Sequence, residues 1–398
     1  MVGGSAQDFE RDEYAMRIVL TTNFSPWSAY SGGGQRSTHQ LACALSARGH
    51  QVTVIYTKAP LDRISPPESL PYQILWAPFF GLRSSRSAPF RPLNALSVRG
   101  AVKKIIQGDG VDVVHCQGEE GALLDGLREQ SAFGLIVTPR YPWYPKHLHP
   151  NQTVLEQARL WVFDAKYPVL GELVHAADKV CPTSSSAGDG VCHAYGIDPS
   201  KVEVIPNGIN ERFWQLKWCG PSDDGKILFF GRLADDKGID TLLDAVAEIE
   251  RPVHIIGRGE REKALKAQSE QLGMSHRVTW TPWCEPEALA REVASAAVVV
   301  LPSRHESFGN VMAETLAIGT PLVTTNAGSI PEVVGQHASM VVAGDSKALN
   351  IAIQAVFDDP NAASTRSKEG RLWVEKRFHW DEVAARFEEV YMQCLQGD

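Results

Sequence analysis

The sequence predicts two consecutive α/β domains, each a doubly wound parallel sheet covered by helices, facing one another across a cleft. Three observations carry this. Short β-rich runs alternate with helical stretches through both halves, the rhythm of strand–helix–strand units. The alternation breaks over 204–222, where Pro206-Asn207-Gly208 and Pro221 interrupt all periodicity. At 398 residues the chain is long enough for two ordinary domains, each with its own core.

In order, 17–21 reads as the first strand. A long loop leads to Gly32-Gly33-Gly34, followed by a helix over 37–47 that Gly49 stops. Strands follow at 51–56, 72–76, 111–115, 134–138 and 179–182, with a long helix over 153–176. The second half restarts with a strand at 226–230, a helix at 237–249, a strand at 253–256 and a helix at 260–272. Branched residues at 298–301 read as a buried strand. Tandem domains of this kind place their carboxyl strand ends on a shared cleft, the expected site.

Composition narrows the function. Hydrophobic residues make up 43% and charged residues 22%, a globular balance, and the net charge of −8 argues against a general nucleic-acid binder. No apolar run approaches the roughly 20 residues that span a bilayer. Residues 1–15 are polar and lack an apolar h-region, so they read as a leader, with folded sequence from near Met16. The seven cysteines are scattered and never spaced CxxC, which suits a reducing, cytoplasmic setting and offers no zinc site.

Two stretches carry chemistry. Phe230-Gly231-Arg232-Leu233-Ala234-Asp235-Asp236-Lys237-Gly238 follows a strand and opens a helix, so Arg232 and Lys237 sit at the sheet rim. Fixed cations there suit a diphosphate leaving group, while Asp235-Asp236 reads as a solvated turn. The second stretch runs from Ser303 to Glu314. Gly309 permits close approach to the backbone, and the free N–H groups of Asn310 and Val311 favour an anion. Glu306 in the loop and Glu314 one turn into the helix suit sugar hydroxyls; the competing reading is a capping and solvated-face pair.

Gly231-Arg232…Lys237-Gly238 with Glu306…Glu314, together with Ile205-Pro206-Asn207-Gly208 and the run from Thr324 to Glu332, resembles the retaining GT-B glycosyltransferases of family 4. The similarity extends from Met16 to about Leu395. It implies a GT-B fold of two Rossmann-like domains: 16–203 on the acceptor side, 204–378 for the nucleotide-sugar, and 379–398 as a C-terminal helix crossing back.

The resemblance implies a hexosyl transfer from a nucleotide-sugar, UDP or GDP, to a hydroxyl acceptor. The donor is a substrate, so no cofactor is expected, and no metal, because Arg232 and Lys237 would neutralise the diphosphate. Glu306 would hold the donor sugar and Glu314 the ribose hydroxyls. The backbone at Phe308, Gly309, Asn310 and Val311 would cover sugar and phosphates. Gly257-Arg258-Gly259 would turn at the cleft edge, and the loop holding Trp283 would meet the base; Pro282 stands where relatives often have glycine. Gly33 and Gly34 resemble the family's glycine-rich acceptor-side loop. His115 is a catalytic candidate, although Gln117 stands where relatives often carry a second histidine.

Two further surfaces bear on the acceptor. No acidic residue occurs between Glu68 and Asp109, where Arg83, Arg86, Arg91, Arg99, Lys103 and Lys104 interleave with Phe79, Phe80, Leu82, Phe90 and Leu93. This points to peripheral contact through 79–104 with the anionic inner face of a membrane, or to a phosphorylated acceptor; a solvated helix face is the alternative. The run from Arg140 to His147 offers aromatic rings suited to sugar faces or to packing. Rival functions on the same architecture are a sugar-nucleotide epimerase and a non-catalytic nucleotide-sugar-binding partner protein.

Overall fold

A computed structural model describes residues 15–28, 31–81, 90–140, 167–221 and 225–396. The first sheet contains β1 (Arg17–Thr22), β2 (Gln51–Lys58), β3 (Gln73–Pro78), β4 (Val113–Cys116), β5 (Gly134–Val137) and β6 (Lys179–Val180), in the order β3-β2-β1-β4-β5-β6. All of its pairings are parallel. Period-two alternation sends β1 side chains to both faces. Ile18 and Leu20 pack with Leu41 and Leu45 of α1 (Gly33–Ala47). Val19 shares the opposite core with Val98 and Val102 of α2 (Arg91–Gln107) and with Leu173 and Val174 of α3 (Tyr167–Ala176). Helix α4 (Ser185–Tyr195) follows β6.

The second sheet repeats the plan with β7 (Ile227–Phe230), β8 (Val253–Ile256), β9 (Val278–Thr281), β10 (Val298–Leu301), β11 (Leu322–Thr325) and β12 (Ser339–Val341), in the order β12-β11-β10-β7-β8-β9. Its described helices are α5 (Glu211–Trp214), α6 (Ile239–Val246), α7 (Glu262–Gln271), α8 (Pro286–Ser295), α9 (Asn310–Ile318), α10 (Ile330–Val334), α11 (Ser346–Asp358) and α12 (Pro360–Glu375). Each sheet reverses its strand order beside its own first strand, between β1 and β4 and between β7 and β10. Ligand crevices form outside the carboxyl ends of strands at such switch points. The fold class is the doubly wound pair that the alternation predicts.

Several boundaries differ from the sequence reading. Gly33 and Gly34 form the first turn of α1 rather than a loop ahead of it, with Gly32 as N-cap. The helix expected from 237 is a 3₁₀ turn over Asp235–Lys237, then α6 from Ile239, because Gly238 turns the chain at φ 64°. Of the helix expected over 153–176, only α3 lies within the described residues. Residues 1–14 also lie outside them, while Met16 is buried.

Helix α13 (Trp380–Gln396) returns to the first domain, where Val383, Phe387 and Tyr391 join the core of Ile18 and Leu41. The outgoing and returning segments run side by side, with Ile209 N donating to Phe378 O at 2.8 Å. A side chain at Gly208 would place its Cβ 2.4 Å from the Trp380 ring, so the glycine of Pro206-Asn207-Gly208 makes this double crossing possible.

Candidate active site

At the switch point of the second sheet, β7 and β10 deliver two loops that meet. Lys237, on the β7 side, places Nζ 2.7 Å from Glu306 Oε1 on the β10 side and 3.3 Å from an Asp236 carboxylate oxygen. Burial works against the lysine charge, but these carboxylates outweigh it and hold the ammonium above its usual pKa. Ser303 Oγ donates to the same Glu306 oxygen at 2.9 Å. Arg232 donates to both oxygens of Asp236 at 2.9 and 3.0 Å. Asp236 therefore corrects the solvated-turn reading: its side chain is largely buried and pairs with both cations. Only Asp235 is exposed, paired with Arg261.

Arg304, which carries no role in the sequence reading, stitches the two loops together. It donates to Asp235 O at 2.6 Å and to Asp240 at 2.7 Å, while its own N–H reaches Asp236 O at 2.7 Å. Nearby, burial pushes the His305 imidazole below its ordinary pKa.

Helix α9 begins after Gly309, whose φ of 91° is costly for any residue with a Cβ. No side chain caps it, which leaves the N–H groups of Asn310 and Val311 uncapped at a helix start that lies against Gly33 of the first domain. Phe308 is buried, its ring 5.2 Å from that of Phe378. Glu314, one turn on, is half-buried. Burial pushes its carboxyl up to about 7, and Arg36 of α1, across the cleft, pulls it down. The turn at Gly257 presses against that at Gly231 so closely that a Cβ on Gly257 would lie 1.8 Å from Gly231 O. Arg258 and Trp283 are exposed after β8 and β9, farther along the same sheet edge.

The first domain faces this wall with the start of α1. A Cβ on Gly33 would lie 3.0 Å from Asn310 Nδ2, and one on Gly34 3.0 Å from Arg140 Cδ. The domains also touch through Ser184 Oγ, which donates to Ser307 O at 2.6 Å, and Ser185 N, which donates to the Glu332 carboxylate at 2.9 Å.

His115 differs from the other candidates in its surroundings. It is fully buried, with Nδ1 2.7 Å from Tyr391 Oη and Nε2 2.8 Å from Thr138 Oγ1. Burial, with Arg140 adding to it, lowers its pKa to about 3, so the ring is neutral. It packs on Phe387 and Tyr391 and belongs to the seat of α13. The groups nearer the cleft are Gln117 and Arg140, linked by a 2.7 Å bond from Arg140 Nε to Gln117 Oε1. Gln117 and Arg140 are far apart in sequence, and only the β4–β5 pairing brings them together. The rest of the aromatic run, 141–147, lies outside the described residues.

Two parallel doubly wound domains with a nucleotide-type crevice between them define the GT-B class. The family profile "Glycosyl transferases group 1" matches 212–373, and "Glycosyltransferase Family 4" matches 31–213. The chain belongs to the family 4, group 1 glycosyltransferases. It is 30% identical over 234 residues to a glycogen synthase of Mycobacterium tuberculosis, covering 57% of this chain and 56% of that protein, so the match spans about half the length of that relative. It is 28% identical over 413 residues to an uncharacterized glycosyltransferase of Methanocaldococcus jannaschii, covering 96% of this chain and 99% of that one. Among solved structures, a sucrose-phosphate synthase of Thermosynechococcus elongatus superposes with a TM-score of 0.79 at 23% identity, covering 96% of this chain and 99% of that one, a likeness of fold.

Proposed function

We propose that the protein transfers a hexosyl group from a nucleotide-sugar, UDP- or GDP-linked, to an acceptor hydroxyl, with retention at the anomeric carbon and without a metal. The observation that carries this reading is the Lys237–Glu306 pair at the sheet switch point, beside Arg232 and the uncapped start of α9. Lys237, Arg232 and the N–H groups of Asn310 and Val311 bind the diphosphate and stabilise the charge that develops as it leaves. Glu306, anchored by Lys237 and Ser303, accepts hydroxyls of the donor sugar; Glu314 accepts those of the ribose. The base rests at the outer edge, near Trp283.

No protein group in this reading serves as nucleophile. The acceptor attacks from the face the diphosphate leaves, its proton passes to a departing phosphate oxygen, and the cleft acts by orientation and charge. The test is to incubate the protein with UDP-, GDP-, ADP- and TDP-sugars in chelator and follow nucleotide release. NMR of the product anomer then separates retention from inversion. No release from any donor by the wild type would overturn the assignment.

We further propose that the first domain docks on an anionic membrane through α2 and the edge strand β3. No described helix is long and apolar enough to cross a membrane. Phe80, Phe90, Leu93 and Leu96 are exposed, with Lys104 beside them. The patch is smaller than the sequence implied. Arg91 is buried near Glu119, Phe79 packs on Phe24, and Arg99 bonds to Leu123 O, while 82–89 lie outside the described residues.

A further inference from the structure

The cations of the second domain meet carboxylates: Arg232 meets Asp236, and Lys237 meets Glu306. Arg140 of the first domain does not. It follows β5, its Nε donates to Gln117 Oε1 at 2.7 Å, and Nη2 reaches the same oxygen. Nη1 donates to Asn207 Oδ1 at 3.1 Å. Both acceptors are neutral amides, and among the described residues no carboxylate forms an ion pair with it.

Glu120 is the acid whose field it feels. That carboxyl is buried, accepts from Thr21 Oγ1 and Gln117 N at 3.0 Å each, and is pushed up to about 8 by burial and then by Glu119. Burial lowers Arg140 to about 10, which leaves it cationic at neutral pH. A largely enclosed guanidinium facing only amide oxygens is an unbalanced charge, and such a group favours an anion.

Its position says which anion. Gly34, in the first turn of α1, lies against its stem, with the missing Cβ 3.0 Å from Arg140 Cδ. Asn207, which it holds, donates to Asn310 Oδ1 at 3.1 Å, at the first turn of α9. The guanidinium thus stands where the amino ends of two helices from opposite domains converge, and both ends favour negative charge.

We propose that Arg140 is a phosphate-binding residue contributed by the first domain, exchanging an amide oxygen of Gln117 or Asn207 for a phosphate oxygen when the cleft is filled. A phosphate oxygen carries the negative charge that an amide oxygen lacks and accepts the guanidinium fork bidentately, so the exchange is favourable. The phosphate belongs either to the donor diphosphate or to a phosphorylated acceptor. This rests on the donor reading given above, and Lys237→Ala is the control for that reading.

The test measures binding of UDP, GDP and ADP, and of inorganic phosphate with the preferred nucleotide present, to the full chain and to Arg140→Gln. The expected result is a loss of about tenfold or more in one of the two affinities, with Arg140→Lys recovering part of it and added guanidinium ion restoring binding to Arg140→Ala. Loss of nucleotide affinity assigns the oxygen to the donor; loss of phosphate affinity alone assigns it to the acceptor. Both affinities within twofold of wild type in folded Arg140→Gln overturn the proposal. If that variant does not fold, Arg140→Lys carries the test, and unchanged affinities there overturn it equally. Nucleotide binding unchanged in Lys237→Ala would move the donor site, whatever Arg140 shows.

Discussion

Lys237 Nζ and Glu306 Oε1 lie 2.7 Å apart and join the loop after β7 to the loop after β10. Their side chains are only 18% and 11% exposed, so each depends on the other for charge balance. Replacing Lys237 with Met strands Glu306, and removing one partner of such a pair costs about 3 kcal/mol or more when burial is complete. The expected stability loss is somewhat smaller, because both groups keep some solvent. Transfer falls by about 10²-fold or more, the typical cost of removing one charge-stabilising group. Lys237→Met with Glu306→Gln regains stability but not transfer. Melting curves and initial rates on the same preparations check both halves; recovered activity in the double variant would contradict the diphosphate role.

Glu314 gives the site a pH dependence. Its carboxyl is raised from 4.5 to about 7 by burial, with Arg36 opposing. Between these values the folded protein holds a proton that the unfolded chain has released. Its contribution to stability is therefore present in acid and lost as pH rises through 7. Nucleotide binding responds in the opposite sense. Hydroxyls donated to the ionised form favour it, so affinity rises with pH up to about 7, by at most about tenfold per unit, and then levels. Glu314→Gln flattens this profile. Isothermal titration from pH 5.5 to 8.5 decides it, and an unchanged profile in the variant would remove Glu314 from the ribose.

The fold was legible because β-rich runs such as 298–301 and 253–256 announce buried parallel strands, and because Pro206-Asn207-Gly208 interrupts the rhythm where the domains join. Helix α2 was not legible as an element. Its buried stripe of Ala95, Val98, Ala101 and Val102 has helical spacing, but Arg91 and Asn94 are buried with it while Leu93 and Leu96 are exposed, which blurs the pattern that marks a helix in sequence. That Arg232, Lys237, Glu306 and Glu314 share one sheet edge was legible by spacing, since the first three lie in the loops after β7 and β10 and Glu314 in the helix that the second loop opens. The links from Arg304 to Asp240 and from Arg140 to Gln117 and Asn207 were not. They join segments whose proximity depends on strand order, which local pattern does not carry. His115 shows the converse: spacing marks the strand end on which it sits but not helix α13, which covers it.

Replacing His115 with Asn tests that structural role. The substitution leaves the buried hydroxyls of Tyr391 and Thr138 short of a partner, worth about 1–3 kcal/mol. The buried ring has its pKa lowered from 6.5 to about 3, so the unfolded chain binds the extra proton across that window. Stability in the wild type is therefore lost as pH falls below 6.5, and His115→Asn flattens this acid limb. Transfer by the variant, measured well below its melting temperature, stays within about tenfold of wild type. A collapse of kcat in a folded variant would return the histidine to the reaction.

The surface of α2 and β3 makes the last prediction, because its apolar and basic parts act by different physics. Leu93 and Leu96 are 44% and 50% exposed, beside Lys104 and the half-buried Lys103. Each cation near an anionic surface contributes about 1 kcal/mol, and salt screens that contribution, whereas burial of leucine is insensitive to screening. The wild type is expected to sediment with phosphatidylglycerol vesicles at low salt and not with phosphatidylcholine vesicles. Lys103→Glu with Lys104→Glu abolishes sedimentation, while Leu93→Ser with Leu96→Ser leaves a weaker, fully salt-sensitive binding. Equal sedimentation of all three proteins would place any membrane contact elsewhere, and no sedimentation of the wild type would remove the membrane from the account.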